Sequence, residues 1–262
     1  MPLTYAKNEY AIPRGRVFFD PFDANGAKTG EISMGNCPGV NFSVETTKAE
    51  HFSSEKGLRE KDAALVVEVN RTGQITCDNF SLDNFALFVS GTKETQTQTS
   101  GAVTGETYKV SIGRYYQLGV SAGAPQGVRN VTGIVVKNDA GTTTYVAGTD
   151  YNLDADLARI QILAGGAIVE GQNVKVDYTK TAKTWDRVKS GSVSELSGAL
   201  RIVADNASGT NRDWYMPSVT LTPSGELPIV AEGTDFVQMQ FDLEVLKSSN
   251  AEALYVDGRP VA

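Results

Sequence analysis

A strict alternation of apolar and polar residues runs from Phe236 to Leu246, Phe-Val-Gln-Met-Gln-Phe-Asp-Leu-Glu-Val-Leu. Val237, Met239, Phe241, Leu243 and Val245 are apolar, and Gln238, Gln240, Asp242 and Glu244 stand between them. Period two predicts a long strand with one dry face and one wet face. Burying five such side chains is worth roughly 8–15 kcal/mol gross. A slip of one residue would expose all of them, so the register is firmly set.

The same pattern recurs elsewhere. Arg16–Asp20 reads as a first strand, followed by a turn-rich stretch to Gly26. Val40, Phe42 and Val44 alternate with Asn41, Ser43 and Glu45 in a second strand. Leu65, Val67 and Val69 alternate with Val66, Glu68 and Asn70 in a third. Arg71-Thr-Gly-Gln then predicts a tight connection into a fourth strand at Ile75–Asp78. Between the second and third strands, Thr46 to Asp62 is charged and nearly devoid of apolar residues. That length exceeds what a hairpin turn needs and predicts a functional loop.

Ser81–Gly91 is the clearest helix. Ser81 is placed to cap it, Leu82, Phe85 and Phe88 or Val89 follow helical spacing, and Gly91 ends it. A polar linker, Thr92–Ala102, follows. From 103 to 182 short strands recur between turn residues, at Tyr108–Ile112, Val131–Val136, Thr143–Val146, Arg159–Leu163 and Val174–Tyr178. This predicts a small all-β module of immunoglobulin-like size inserted into a domain made of 1–102 and 183–262. Ala199–Val203 and Ser218–Leu221 complete the strands of that domain, and residues 1–15, broken by Pro2 and Pro13, read as an extended arm.

Composition narrows the function. The 262 residues carry 24 Lys and Arg against 31 Asp and Glu, a net charge of −7. A protein that wraps nucleic acid needs clustered cations, and this chain lacks them. The N-terminus has no apolar run, so no signal peptide is expected, and no stretch approaches the roughly 20 apolar residues of a membrane anchor. Without export, Cys37 and Cys77 read as reduced, packed thiols, with a disulfide as the alternative.

Candidate chemistry is sparse. Asp150-Tyr-Asn-Leu-Asp-Ala-Asp156 begins like a calcium loop, yet Ala155 stands where Gly is needed and Gln161 where the bidentate Glu is needed. It reads as a polar strand edge and turn. His51 is the one histidine, and nothing near it in sequence makes a dyad with either cysteine. Hydrolase, zinc-peptidase and phosphate-binding motifs are missing. Asp242 and Glu244 share a strand face without an aromatic platform, which reads as a solvated face and not as a glycosidase pair. No enzyme and no cofactor is expected.

The order of the remaining features is informative. Arg14-Gly15 precedes the first strand and Gly35-Asn-Cys-Pro-Gly39 the second. The charged loop with His51-Phe-Ser-Ser-Glu-Lys-Gly57 leads to Ile75–Gly91, then Gly198–Asn206, then Pro217–Pro228. This order resembles the major tail tube proteins of long-tailed bacteriophages with a non-contractile tail, over about 1–102 and 183–262. The stretch from Gly148 to Tyr178 is similar to a β module that recurs in phage tail proteins, and its insertion departs from the minimal family pattern.

The resemblance implies a mainly-β fold, a tail-tube-type sandwich or barrel with a flanking helix. It implies a homo-oligomer of stacked hexameric rings in the virion tail, assembled in the bacterial host cytoplasm. The tube would conduct DNA and hold the tape-measure protein without specific binding, and would meet tail terminator and distal tail proteins at its ends. Glu68, Gln238, Gln240, Asp242 and Glu244 are then expected to face the lumen. Lys48, Glu50, His51, Phe52, Glu55, Lys56 and Arg59 are expected in an inter-ring loop. The module is expected to project outward, with host surface glycans as a partner. The alternative is a carbohydrate-binding sandwich or adhesin, with Tyr115, Tyr116, Trp185 and Trp214 as its aromatic candidates.

Overall fold

The computed structural model describes residues 8–55, 57–191 and 195–259. It is mainly β, with several antiparallel sheets and, among the described residues, one helix. In chain order the elements are β1 (Gly15–Pro21), β2 (Ile32–Ser33), β3 (Gly39–Ser53), β4 (Glu60–Cys77), α1 (Leu82–Phe88), β5 (Thr92–Gln98), β6 (Gly101–Lys109), β7 (Tyr115–Gln117) and β8 (Val131–Asn138). They continue with β9 (Tyr151–Asp154), β10 (Arg159–Ile162), β11 (Asn173–Lys180), β12 (Lys183–Lys189), β13 (Leu196–Ala204), β14 (Arg212–Ser224), β15 (Met239–Val245) and β16 (Tyr255–Gly258). The chain divides into two compact units, Met1–Lys93 with Val188–Ala262, and Glu94–Arg187. Thr92–Ala102, expected as a linker, is instead strand: β5 pairs β12, and Ala102 at the start of β6 stands opposite Thr179.

The discontinuous unit is built on one sheet ordered β2-β1-β13-β14-β15-β4-β3, with β16 also on β14. Its end strands β2 and β3 are not joined, so the sheet does not close into a barrel. The predicted central strand takes its place as β15, with Met239, Phe241, Leu243 and Val245 buried and Asp242 and Glu244 exposed. Val237 and Gln238 lie just ahead of it, outside the strand. Around it pack Val17, Phe19, Ile75, Leu200, Met216 and Leu221. Helix α1 lies against this core, Phe88 meeting Phe241 edge-on at 6.0 Å between ring centres. The Ser81 hydroxyl accepts a hydrogen bond from the Asn84 N–H at 3.2 Å, as a cap should. Gly91 is needed for closeness and not for a left-handed cap. The positive φ falls on Ser90, while a Cβ on Gly91 would stand 2.1 Å from the Lys189 carbonyl oxygen.

Two expectations are corrected here. Cys37 and Cys77 are bonded as a disulfide, not held as free thiols. The link joins the approach to β3 to the end of β4, so it closes the base of the whole β3–β4 hairpin. Arg71-Thr-Gly-Gln is not a connection, because β4 runs unbroken from Glu60 to Cys77. Gly73 sits there because β3 passes too near for a side chain.

The second unit has two three-stranded sheets, β6-β11-β8 and β7-β10-β9. Their common core includes Leu118, Val136, Ile160, Ile162, Val174 and Val176. Thr143–Val146, expected as a strand, makes an isolated bridge from Thr144 to Lys137 instead. Asp150 uses both carboxylate oxygens on the fold, accepting N–H groups of Val146 and Ala167, each at 2.7 Å. Those two bonds hold its carboxyl below the usual carboxylate range, Ala167 contributing most. Tyr178 donates to Glu106 at 2.7 Å, and burial first, then that carboxylate, pushes the phenol up.

Candidate assembly surfaces: the hairpin arm and the acidic sheet face

The stretch expected as a loop is a continuation of two strands. β3 and β4 stay paired from Gly39↔Thr76 to Ser53↔Glu60, whereas β15 leaves β4 after Glu244↔Thr72. Beyond that point β3 and β4 form a two-stranded arm roughly 30 Å long, at about 3.3 Å per residue. Its sequence explains both its existence and its irregularity. Ala63-Ala-Leu-Val-Val-Glu-Val69 suits a strand, but Leu65, Val66 and Val67 in a row break period two. The register shifts at that run, between Thr47 and Lys48 opposite Glu68 and Val66, and a second time between His51 and Phe52.

Most of the predicted loop residues therefore sit on strand. Lys48, Glu50, His51 and Phe52 belong to β3, Glu55 and Arg59 to the turn, and Lys56 lies outside the described residues. Side chains pair across the arm. His51 Nδ1 and Asp62 Oδ1 lie 2.5 Å apart, Lys61 pairs Glu50, and the Arg59 guanidinium stands over the Phe52 ring at 4.5 Å. None of this is a core. Every residue from Val44 to His51 and from Glu60 to Asn70 is exposed, including Val44 (53 %), Leu65 (69 %) and Val67 (58 %). Among the described residues, both outer edges of the arm are unpaired along its length.

The second surface is the face of the main sheet that points away from the core. Directly opposed residues share a face, so the register lays this one out row by row. Ser224, Gln240 and Thr76 form one row, Thr222, Asp242, Gln74 and Asn41 the next, and Thr220, Glu244, Thr72 and Ser43 the third. Asn70 with Glu45 and Glu68 with Thr47 extend it onto the arm. Apart from Gly39, which stands opposite Thr76, every position is a hydroxyl, amide or carboxylate, and none is Lys or Arg. Gln74 donates to Asp242 at 3.2 Å and Asn70 to Glu68 at 2.8 Å. Of the five residues expected to line a lumen, Glu68, Gln240, Asp242 and Glu244 are thus brought onto one face. Gln238 precedes the strand, exposed and outside this register. Sequence reasoning missed Glu45 as a member, although its alternation with Val44 carried the signal.

Cations appear at the other end of the same sheet. Arg201 pairs Glu31 at 2.6 Å, which raises its pKa, and lies over the Tyr215 ring at 4.6 Å. Arg259 donates to Asp213 at 3.0 Å and holds that carboxyl below its ordinary range, with the Ala204 N–H assisting. The aromatic candidates divide between the units, Tyr115, Tyr116 and Trp185 in the inserted one and Trp214 in the other. Tyr115 is exposed but stacked by Arg159 at 5.0 Å, and Tyr116 accepts the Ser111 N–H. Trp185 and Trp214 are half-buried. Among the described residues, no group of three metal-ligating side chains converges.

The model of an uncharacterised family, described as protein of unknown function UCP028589, matches residues 10–253. The chain belongs to that family. No curated protein matches it. The matched span covers residues of both units.

Proposed function

We propose that the chain is a structural subunit that polymerises into a hollow tube, the tail tube of a phage virion, as the sequence resemblance implies. In this reading hexameric rings stack, the acidic sheet face lines the lumen, and DNA passes through it. The hairpin arm is the observation that carries the reading. An isolated two-stranded hairpin is at best marginally stable in water, and free edges are templates for another chain. An arm with exposed Val44, Leu65, Val66, Val67 and Val69 and two open edges is a surface made for contact with further protein.

The sheet face fits the same role. A conduit for a polyanion must not bind it, and a wall of hydroxyls, amides and carboxylates offers phosphate no cation. Carboxylates there act over about 8 Å at physiological salt. Tape-measure, terminator and distal tail proteins would be the partners of such a tube, and glycans on the host surface a partner for the inserted unit.

Negative-stain microscopy of the purified chain across a concentration series tests this. Rings or tubes are expected, and a variant with residues 46–69 replaced by a short turn should stay monomeric with its main unit folded. A chain that remains monomeric at every concentration overturns the proposal.

A further inference from the structure

Between β14 and β15 the chain makes a 14-residue connection, Gly225–Gln238, long for two antiparallel neighbours. Leu227 packs on the core, but Ile229, Val230 and Phe236 are 91 %, 93 % and 87 % exposed. Three large apolar side chains held almost wholly in water call for a cover. The connection is also acidic, with Glu226, Glu232 and Asp235 and no Lys or Arg.

The same unit holds a cavity of about 860 Å³, the size of a ligand site, to which this connection contributes no residue. Val17, Met216 and Leu243 form its floor, and Val40, Phe42 and Trp214 its half-buried walls. Arg14 and Arg212 stand at its margin with Glu9, which pairs Arg212 at 2.8 Å. Its chemistry, an apolar interior beside a net positive rim, complements an apolar hook on an acidic loop.

We infer that the Ile229–Val230 hook of one copy seats in the cavity of the next copy. When a copy seats its hook in the next without receiving that copy's hook in return, the contact is heterologous and propagates from copy to copy into a ring or a filament. This inference rests on the assembly reading for its biological role, but the seat itself is a separate claim.

A synthetic peptide of residues 225–238, titrated into the full chain at dilution, tests the seat through Trp214 fluorescence, with Trp214→Phe as the blank. The emission should shift saturably, and a peptide carrying Ile229→Asp and Val230→Asp should bind at least about tenfold more weakly, since it would bury unpaired charge. No shift, or an equal shift from both peptides, overturns the inference. So does a shift given by a peptide of the hairpin arm and not by this one, which would assign the cavity to the arm. In the full chain, Ile229→Asp with Val230→Asp should keep the wild-type melting curve and lower the sedimentation coefficient of the assembled protein. If the variant assembles like wild type, the hook falls and the tube stands. If wild type never assembles while the peptide binds, the tube falls and the seat stands.

Discussion

The Asn41 carbonyl of β3 presses on Gly73 of β4 and leaves no room for a side chain there. A Cβ at position 73 would stand 2.3 Å from the Asn41 carbonyl oxygen and 3.2 Å from a Leu243 methyl. The obstruction on one side is backbone, which cannot swing away. Gly73→Ala is therefore expected to cost about 1–3 kcal/mol, as overpacking does. At roughly 2–4 °C per kcal/mol for a chain of this size, a thermal melt would record a drop of several degrees.

The disulfide closes a loop that contains the entire arm. Cys37 and Cys77 are 40 positions apart, and linking residues at that distance removes chain entropy worth about 4 kcal/mol from the unfolded state. Cys37→Ser with Cys77→Ser should lower unfolding free energy in urea by that order. Adding reductant to the wild-type chain should reproduce most of the loss.

Phe241 and Asp242 are adjacent in sequence and opposite in consequence. Phe241 is fully buried and Asp242 exposed. Phe241→Ala should cost about 3–5 kcal/mol, whereas Asp242→Ala should stay within about 0.5 kcal/mol in the isolated subunit. In the tube proposed above the order of interest reverses: Asp242→Lys with Glu244→Lys should make its wall retain DNA in a low-salt filter assay, which the wild-type wall should not.

Asp150 gives the inserted unit an acid sensitivity. Its folded pKa lies below the ordinary carboxylate value of 3.8, so its contribution is complete above that value and is lost as pH falls through the lower folded one. Melting temperature should decline with acidification below about pH 4. Asp150→Asn, which no longer titrates, should melt lower near neutrality and show a shallower decline over the same acid range.

Sequence pattern was informative wherever a core imposed it. β15 buries one face, so its period appears directly in the order of residues. In α1 the expected face is not the buried one: Leu82 is exposed, and Asn84, Ala86 and Leu87 are buried. The arm had no such imprint. With both faces in water, Thr46–Ser53 and Glu60–Asp62 needed no apolar alternation, and a charged stretch without period reads as loop. Cross-strand pairs such as Glu50 with Lys61 hold it instead, and these connect residues 11 apart with no local signature. The disulfide was illegible for a different reason: two cysteines allow one pairing, but nothing local in the sequence says that the fold brings Cys37 and Cys77 together. The acidic face stood between these cases. Asp242 and Glu244 were visible on one strand, but their union with Glu68 and Glu45 depends on a register that only tertiary pairing sets.

The pairing of β5 with β12 has a consequence for how this chain could change. The strands by which the inserted unit is entered and left lie side by side, so the main sheet meets about ninety residues through the same two-stranded gateway that a short hairpin would use. The entropy of closing so long an excursion is met within the excursion itself, by its own sheets. Exchange, loss or replacement of that unit would leave the seven-strand path of the main sheet unbroken, and two parts of one polypeptide could then diversify on separate terms.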